Sequence, residues 1–527
     1  MRCWKKAGMP ATIYGDGYTT PSRPTKEYPG WPRSGIVKSH FTCMHTYDIL
    51  ILGAGPAGTC AALRLLSMGH RVAMIERETF PRPQIGESLS PGIRNIFDYL
   101  DAAPLLQQDH CLHQLPAQVI WNKPEPDIQA RGHGLMVDRG RLDKALLDLA
   151  VARGLILFQP ARYEGSTYQG NTWQVTIRHL KGVQNISALF LLDARGRKGI
   201  RLQQRLLTAP PMLGMWAYTS ADSMPAATCV EAVPHGWLWG SPLHDGRYRI
   251  LAFADPQWVR QQTAIQAYHQ LLEKAQLFQP ALDKGLLSSL QTCNVFSYIH
   301  QQPWLHNRIQ LGEAAFAIDP LSSTGVEKAM RLSMQAAIAI NTILKKGTTE
   351  LAQEFYESRL ITAAVNHTRW TTQYYAEAWP GPTYPFWKSR AAMPVLKQPP
   401  THFAAQLETS MTQYDHRPLS SPEQKTVVPQ ALAYLWHKKM HLSSAISYKQ
   451  TPCVIDNCVE LKTAIHHPNL EQEIAFLGNN DILPLIQVAK ETDNFGQLVL
   501  RWKQMVPPEL AAQMVILLWE KQILCED

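Results

Sequence analysis

A glycine triplet set between a strand and a helix constrains this chain more than any other feature. Tyr47 to Leu52 is a short apolar run with little alternation, the pattern of a strand buried on both faces of a parallel sheet. Gly53-Ala54-Gly55-Pro56-Ala57-Gly58 follows at once, and Thr59 to Met68 reads as a helix ended by Gly69. Arg71 to Ile75 reads as a second strand ending on Glu76, and Arg77 next to it is a further cofactor-binding candidate. In such a unit Gly53 permits the tight turn, Gly55 lets backbone approach a pyrophosphate, and Gly58 lets the helix pack on the strand. Pro56 and Ala57 are cofactor-binding candidates with them, and the N-terminus of the helix that follows offers free N–H groups and a positive dipole end to phosphate. Glu76 stands 18 residues after Gly58, where a carboxylate accepts hydrogen bonds from an adenosine ribose. The motif alone leaves NAD and FAD both open.

Four later segments narrow the choice. They are Pro83-Gln84-Ile85-Gly86-Glu87-Ser88-Leu89, Val137-Asp138-Arg139-Gly140-Arg141-Leu142-Asp143, Leu191-Leu192-Asp193-Ala194-Arg195-Gly196-Arg197, and Leu311-Gly312-Glu313 through Asp319-Pro320-Leu321-Ser322-Ser323-Thr324-Gly325-Val326. Taken in this order, from residue 47 to about 392, they resemble the FAD-binding group of aromatic hydroxylases, geranylgeranyl reductases and flavin-dependent halogenases. The resemblance implies an α/β fold: a Rossmann-like FAD domain, a substrate-covering β-sheet domain, and here an additional, mostly helical C-terminal domain. It implies FAD as cofactor, with Gly86, Glu87 and Ser88 passing beside the flavin and Arg139 contacting the cofactor. Glu313 replaces the group's usual Asp at a ribityl hydroxyl. Asp319, Pro320, Gly325 and Val326 bring backbone and a helix start to the ring. Arg195 departs from the Asp of the nicotinamide-using hydroxylases, so an external flavin reductase stands beside NAD(P)H as electron source.

The same resemblance bears on chemistry. Reduced flavin and oxygen form a peroxide that hydroxylates an aromatic ring or oxidises halide, and the protein's site selects the outcome. Halogenases of the group carry Trp-x-Trp-x-Ile-Pro and an essential lysine after the Gly-Glu-Ser loop. Here Trp237-Leu238-Trp239-Gly240-Ser241-Pro242 keeps both Trp and the Pro, but Ser90 to Asn122 contains no Lys and Lys123 comes late. The expectation is therefore an FAD-dependent monooxygenase of aromatic rings. A likeness to the flavoproteins that mature tryptophan-derived quinone cofactors extends the substrate class to a Trp side chain in a peptide or protein. A halogenase, a flavin-binding maturation partner without turnover, and a prenyl-chain reductase stay open. Trp237 and Trp239, at i and i+2 of a strand, face one side and read equally as packing or as site walls. His235 is a further catalytic candidate with a bland alternative as a loop residue. Tyr374, Tyr375, Phe386 and Trp387 read mainly as core.

Domain boundaries follow from these segments. Residues 1–43 read as a disordered extension, or as a stretch upstream of a start at Met44. FAD-binding parts occupy 44–210, the covering sheet 211–290, and the FAD-domain completion with a helical section 291–395. A linker over 396–429 leads to a winged-helix-like or helical module at 430–527. The formal net charge is +8, but residues 1–43 hold seven Lys or Arg against Asp16 and Glu27, which leaves about +3 for the rest. That distribution argues against nucleic acid as partner. The longest apolar runs are core-sized, so no membrane span is expected. Nine Cys without a CxxC pair fit neither a zinc site nor a disulfide framework, which points to no metal and a reducing cytoplasmic setting.

Overall fold

The computed structural model describes residues 46–113, 115–129, 134–396, 401–415, 428–470 and 472–527. The extension at 1–43 and parts of the expected linker lie outside the described residues. The chain divides into two compact units, and among the described residues the first comprises 46–340 and 356–415 and the second 341–355 and 428–527.

The first unit is organised on two sheets. One has the order Trp304–Leu305, Arg308–Gln310, Gly182–Asp193, Thr46–Leu52, Val72–Ile75, Ile156–Phe158. The last four of the five pairings in this order, from Arg308–Gln310 to Ile156–Phe158, are parallel. Ile49, Leu50 and Ile51 are fully buried, as an apolar run without alternation requires. The helix after the first strand runs Pro56–Ser67, earlier than the Thr59 start read from sequence, because Pro56 occupies its first turn. Asp138 caps the Arg139–Ala152 helix by accepting from Arg141 N.

The second sheet has the order Gln291–Val295, Met212–Ser220, Arg247–Ala254, Gly236–Pro242, Thr228–Val233, Ala117–Ile120, Asp127–Gln129. It is larger than the expected 211–290 region. Ala117–Ile120 joins in parallel beside Thr228–Val233, so residues from the FAD-binding part of the chain complete it. Two helices follow its Arg247–Ala254 strand, Pro256–Val259 and Ala264–Glu273; the second has its own capping box from Thr263 and Gln266. Within the expected linker, His402–Asp415 is helical.

In the second unit, helices Ile482–Lys490, Phe495–Trp502 and Pro508–Glu520 pack a core around Trp502, Phe495, Leu485 and Leu518. Ser447–Ile455 and Cys458–His466 form one antiparallel hairpin. Helix Val428–Leu435 precedes Met440, which pairs with Glu526 in a two-stranded sheet. No helix among the described residues is long and apolar enough to cross a membrane, and none of their His, Cys, Asp and Glu side chains cluster as a metal-binding group.

Candidate active site

The three motif glycines differ in their surroundings. Gly53 has φ +101°, and a Cβ there would stand 2.7 Å from Ala194 O. A Cβ on Gly58 would lie 2.1 Å from Gly53 O and 3.2 Å from Ile51 Cγ2, so only glycine lets the helix approach the strand. Gly55 is open: the nearest atom to its Cβ position is Arg82 Nη2 at 3.9 Å. No side chain caps the helix that follows, which leaves its first-turn N–H groups to a ligand. Glu76 is buried and accepts from Ala54 N and Glu78 N at 2.8 Å each. Arg77 points away, exposed and paired with Glu78 at 2.7 Å. Arg82, which the motif did not flag, makes no hydrogen bond to a described residue and reaches Glu76 only at 3.9 Å.

The Gly86-Glu87-Ser88 loop is fastened from three directions. Arg139 clamps Asp143 at 2.9 and 3.0 Å and donates to Ile85 O and Gly86 O at 3.3 Å. Its guanidinium is thus spent mainly on shaping the loop. Glu87 is buried, pairs with Arg249 of the second sheet, and accepts from Gly86 N at 3.0 Å. Ser88 pairs with Met136 in a short strand, and Ser90 donates to Glu327, which also holds Arg331 at 2.8 Å. The loop is therefore tied to the first turn of helix Gly325–Lys346.

Asp319 opens the other side. Its carboxylate accepts from Leu321 N at 3.0 Å and from the Tyr375 hydroxyl at 3.1 Å to each oxygen. Its own N–H donates to His367 Nε2 at 3.1 Å. Burial pushes the Asp319 carboxyl up to about 6, partly opposed by these donors. Burial likewise holds the His367 imidazole neutral, with the Lys328 ammonium adding to the effect. Pro320 starts a short turn, Ser323 takes a left-handed φ of +52°, and Gly325 begins the helix. Val326 lies in that helix's first turn. Glu313 is turned away from this side in part: it is half exposed and paired with Arg197 at 3.2 Å. Gly312 sits against the nucleotide helix, where a Cβ would stand 2.8 Å from Ala57 Cβ.

Beside Leu321 lies an aromatic box. Trp121 stacks on Tyr374 at 4.7 Å and meets Trp387 edge-on at 5.4 Å; Trp237 stacks on Phe253 at 4.2 Å. Trp237 and Trp239 share this cluster, as their spacing on one strand requires. Trp121 donates to Tyr374 O at 2.8 Å and Trp387 to Val233 O at 3.0 Å. The Trp239 indole N–H is buried without a partner among the described residues, and that of Trp237 faces the Tyr375 hydroxyl outside hydrogen-bond geometry. His235 stacks on Trp258 at 4.8 Å and meets Tyr384 edge-on, the surroundings of a packing residue. Lys123 is exposed on a turn. Sequence reasoning missed Trp121, Arg249, His367 and Glu327, which come from distant segments without a local pattern.

An open face at Gly55, uncapped helix amides, a ribose-side carboxylate and a second fastened loop fit an FAD. Fold and site together define a flavin-dependent oxidoreductase. The chain matches the tryptophan halogenase family over residues 48–118 and 113–450 and belongs to that family. It is 29% identical over 338 residues to the tryptophan 2-halogenase of Chondromyces crocatus, covering 59% of this chain and 64% of that protein's length. It is 24% identical to the putative FAD-dependent oxidoreductase LodB of Marinomonas mediterranea, over 67% of this chain and 99% of the relative. In fold it is similar to the flavin-dependent halogenase CmlS, with TM-score 0.71, 21% identity, and 92% and 96% of the two chains covered. It is likewise similar to QhpG, a peptidyl tryptophan dihydroxylase essential for tryptophylquinone cofactor biogenesis, with TM-score 0.66, 21% identity, and 90% and 99% covered.

Proposed function

We propose that this protein is an FAD-dependent monooxygenase that hydroxylates an aromatic ring, with a Trp side chain in a peptide or protein as the favoured substrate. The observation that carries this reading is the absence of lysine from Ser90 to Asn122, where the halogenases of the group supply the residue that delivers oxidised halogen. A relative of similar extent, QhpG, is described as a peptidyl tryptophan dihydroxylase, which supports the substrate class.

Bound FAD supplies oxygen activation once reduced. The chain's own residues do the rest by position and exclusion. Gly55, the first-turn amides of Pro56–Ser67 and Arg82 hold the phosphates, and Glu76 holds the ribose. Asp319, steadied by Tyr375 and by the Leu321 N–H, fixes the turn that leads into helix Gly325–Lys346, whose N-terminal dipole favours negative charge nearby. Trp121, Trp237, Trp239 and Trp387 wall off water from an aromatic ring placed next to Leu321, and offset or edge contacts orient such a ring. The unpaired Trp239 N–H offers a donor to a substrate oxygen.

A halogenase is the second reading, favoured by the family and by the names of relatives such as the Chondromyces crocatus enzyme. One residue of this chain serves it. Lys328, in the first turns of helix Gly325–Lys346, forms no ion pair with a described residue, and burial, with Arg331 nearby, pulls the ammonium down to about 8. The test supplies FAD-loaded protein with reduced flavin, oxygen, bromide and Trp-containing peptides and reads products by mass. Oxygen addition retained in Lys328→Met supports monooxygenation. A bromine isotope pattern lost in Lys328→Met overturns it in favour of halogenation through that lysine.

A further inference from the structure

In the second unit, the hairpin of Ser447–Ile455 and Cys458–His466 has one occupied edge and one open edge. Asp456 and Asn457 take φ of +48° and +65° in a two-residue turn, which fixes the direction of every backbone amide in the two strands. From Ile455 back to Ser447 the odd-numbered residues turn their N–H and C=O groups inward to the partner strand. Val454, Pro452, Gln450 and Tyr448 turn theirs outward. Pro452, which has no N–H, thus falls on an outward position, as an open edge allows.

On the other strand the outward groups are taken near both ends. Val459 N donates to Thr342 Oγ1 at 2.8 Å, and Ile465 exchanges backbone hydrogen bonds with Ile474 at 2.9 and 3.0 Å. Tyr448 and Gln450 are exposed, and their outward backbone groups make no hydrogen bond to a described residue. Lysine commonly guards such an edge, but here Lys449 is neutralised by Glu473 at 3.3 Å. Lys490 stands with its Nζ 5.4 Å from the centre of the Tyr448 ring and forms no ion pair with a described residue. Leu461, across from Pro452 on the face that carries Tyr448, is exposed.

Outward groups in ladder register match the donors and acceptors of another extended polypeptide. Tyr448 and Leu461 favour apolar side chains on it, and the Lys490 ammonium favours a carboxylate. A second copy joined through the same edge would bring Lys490 of both copies to one seam, and like charge disfavours that pairing.

We propose that the Ser447–Thr451 edge binds an extended acidic segment of the polypeptide that carries the aromatic ring, adding it to the hairpin as a third strand. The proposal rests on the reading of the substrate as a peptide or protein.

The test uses full-length, FAD-loaded protein and a synthetic peptide that alternates valine with glutamate on one side of a single tryptophan. Calorimetry should show saturable binding that weakens about fivefold or more in Gln450→Pro, which removes an outward N–H and leaves the inward pairs of Lys449 and Thr451. Lys490→Glu should weaken binding of this peptide and strengthen that of its valine-lysine counterpart. In hydrogen exchange the peptide should protect the Tyr448 and Gln450 amides and leave those of Lys449 and Thr451 unchanged. The last two amides also report whether the hairpin stays folded in Gln450→Pro; where it does not, the charge reversal at Lys490 decides. No binding, or equal binding in both variants, overturns the proposal. A concentration-dependent dimer lost in Gln450→Pro also overturns it and assigns the edge to a second copy. Oxidation of the peptide is read separately by mass. Edge-dependent binding without oxidation keeps the docking edge and sinks the proposed activity; oxidation with edge-independent binding does the reverse.

Discussion

Glu76 and Asp319 are both buried carboxylates that accept backbone hydrogen bonds, and they mark the two ends of the proposed site. Glu76 is held by backbone N–H groups of Ala54 and Glu78, within one strand-turn-helix-strand unit. Asp319 depends on Tyr375, 56 residues away, and its backbone on His367, 48 residues away. The nucleotide end is thus a local object, fixed by steric limits on three glycines. The ring end is convergent, assembled only when helix Thr349–Ala376 packs behind the 319–325 turn. Damage to the first should remove the cofactor; damage to the second should spare the cofactor and alter turnover.

The largest expected effect breaks the local end. Gly58→Val places carbon where Gly53 O stands, and FAD affinity should fall about 100-fold, the scale of roughly 3 kcal/mol of overpacking. Flavin content after gel filtration measures it. Wild-type retention would show that the helix can shift without harm. At the convergent end, Tyr375→Phe removes the hydroxyl shared by both Asp319 oxygens. Turnover should drop about tenfold or more, as hydrogen bonds to charged groups contribute roughly 1.5–3 kcal/mol, while FAD content stays within about twofold. An equal loss of FAD would erase the distinction between the two ends.

A smaller effect is read in pH. Burial raises the Asp319 carboxyl from 3.8 to about 6, so between these values the folded state binds more protons than the unfolded one. Its contribution to stability therefore falls as pH rises through that window and is fully present below it. Relative to Asp319→Asn, wild-type stability should decline from pH 4 to 6 by on the order of 2 kcal/mol, followed by denaturant titration. A flat difference would mean the carboxylate is better solvated than its burial implies. Smallest is Glu313→Gln. The half-exposed pair with Arg197 should contribute less than about 1 kcal/mol and FAD content should stay near wild type. A large loss would restore the ribityl contact that the sequence pattern implied.

The same contrast decides what was legible in the sequence. The glycine turn, its flanking strand and helix, and Glu76 were readable because each depends on neighbours a few residues away. The pairing of Trp237 with Trp239 on one face was readable from strand period. The role of Arg139 was half readable: its place at a helix start was clear, but its use on Asp143 and the Gly86 carbonyl needed the folded loop. Trp121, Arg249 and His367 gave no signal, since their partners lie 253, 162 and 48 residues away. The reach of the covering sheet into Ala117–Ile120 was hidden for the same reason: parallel pairing with Thr228–Val233 leaves no turn to mark it. The mostly helical character of the C-terminal region was readable because caps and apolar spacing are local, and helices Ile482–Lys490, Phe495–Trp502 and Pro508–Glu520 carry it.

The central claim is oxygen insertion into an aromatic ring, and isotopic oxygen tests it most directly. FAD-loaded protein would be given reduced flavin, a Trp-containing peptide, bromide and oxygen-18 gas. Monooxygenation transfers one atom of each oxygen molecule to the ring and releases the other as water. The account predicts a peptide carrying oxygen-18 in every added hydroxyl and no bromine. A brominated peptide, or added oxygen drawn only from water, would contradict it.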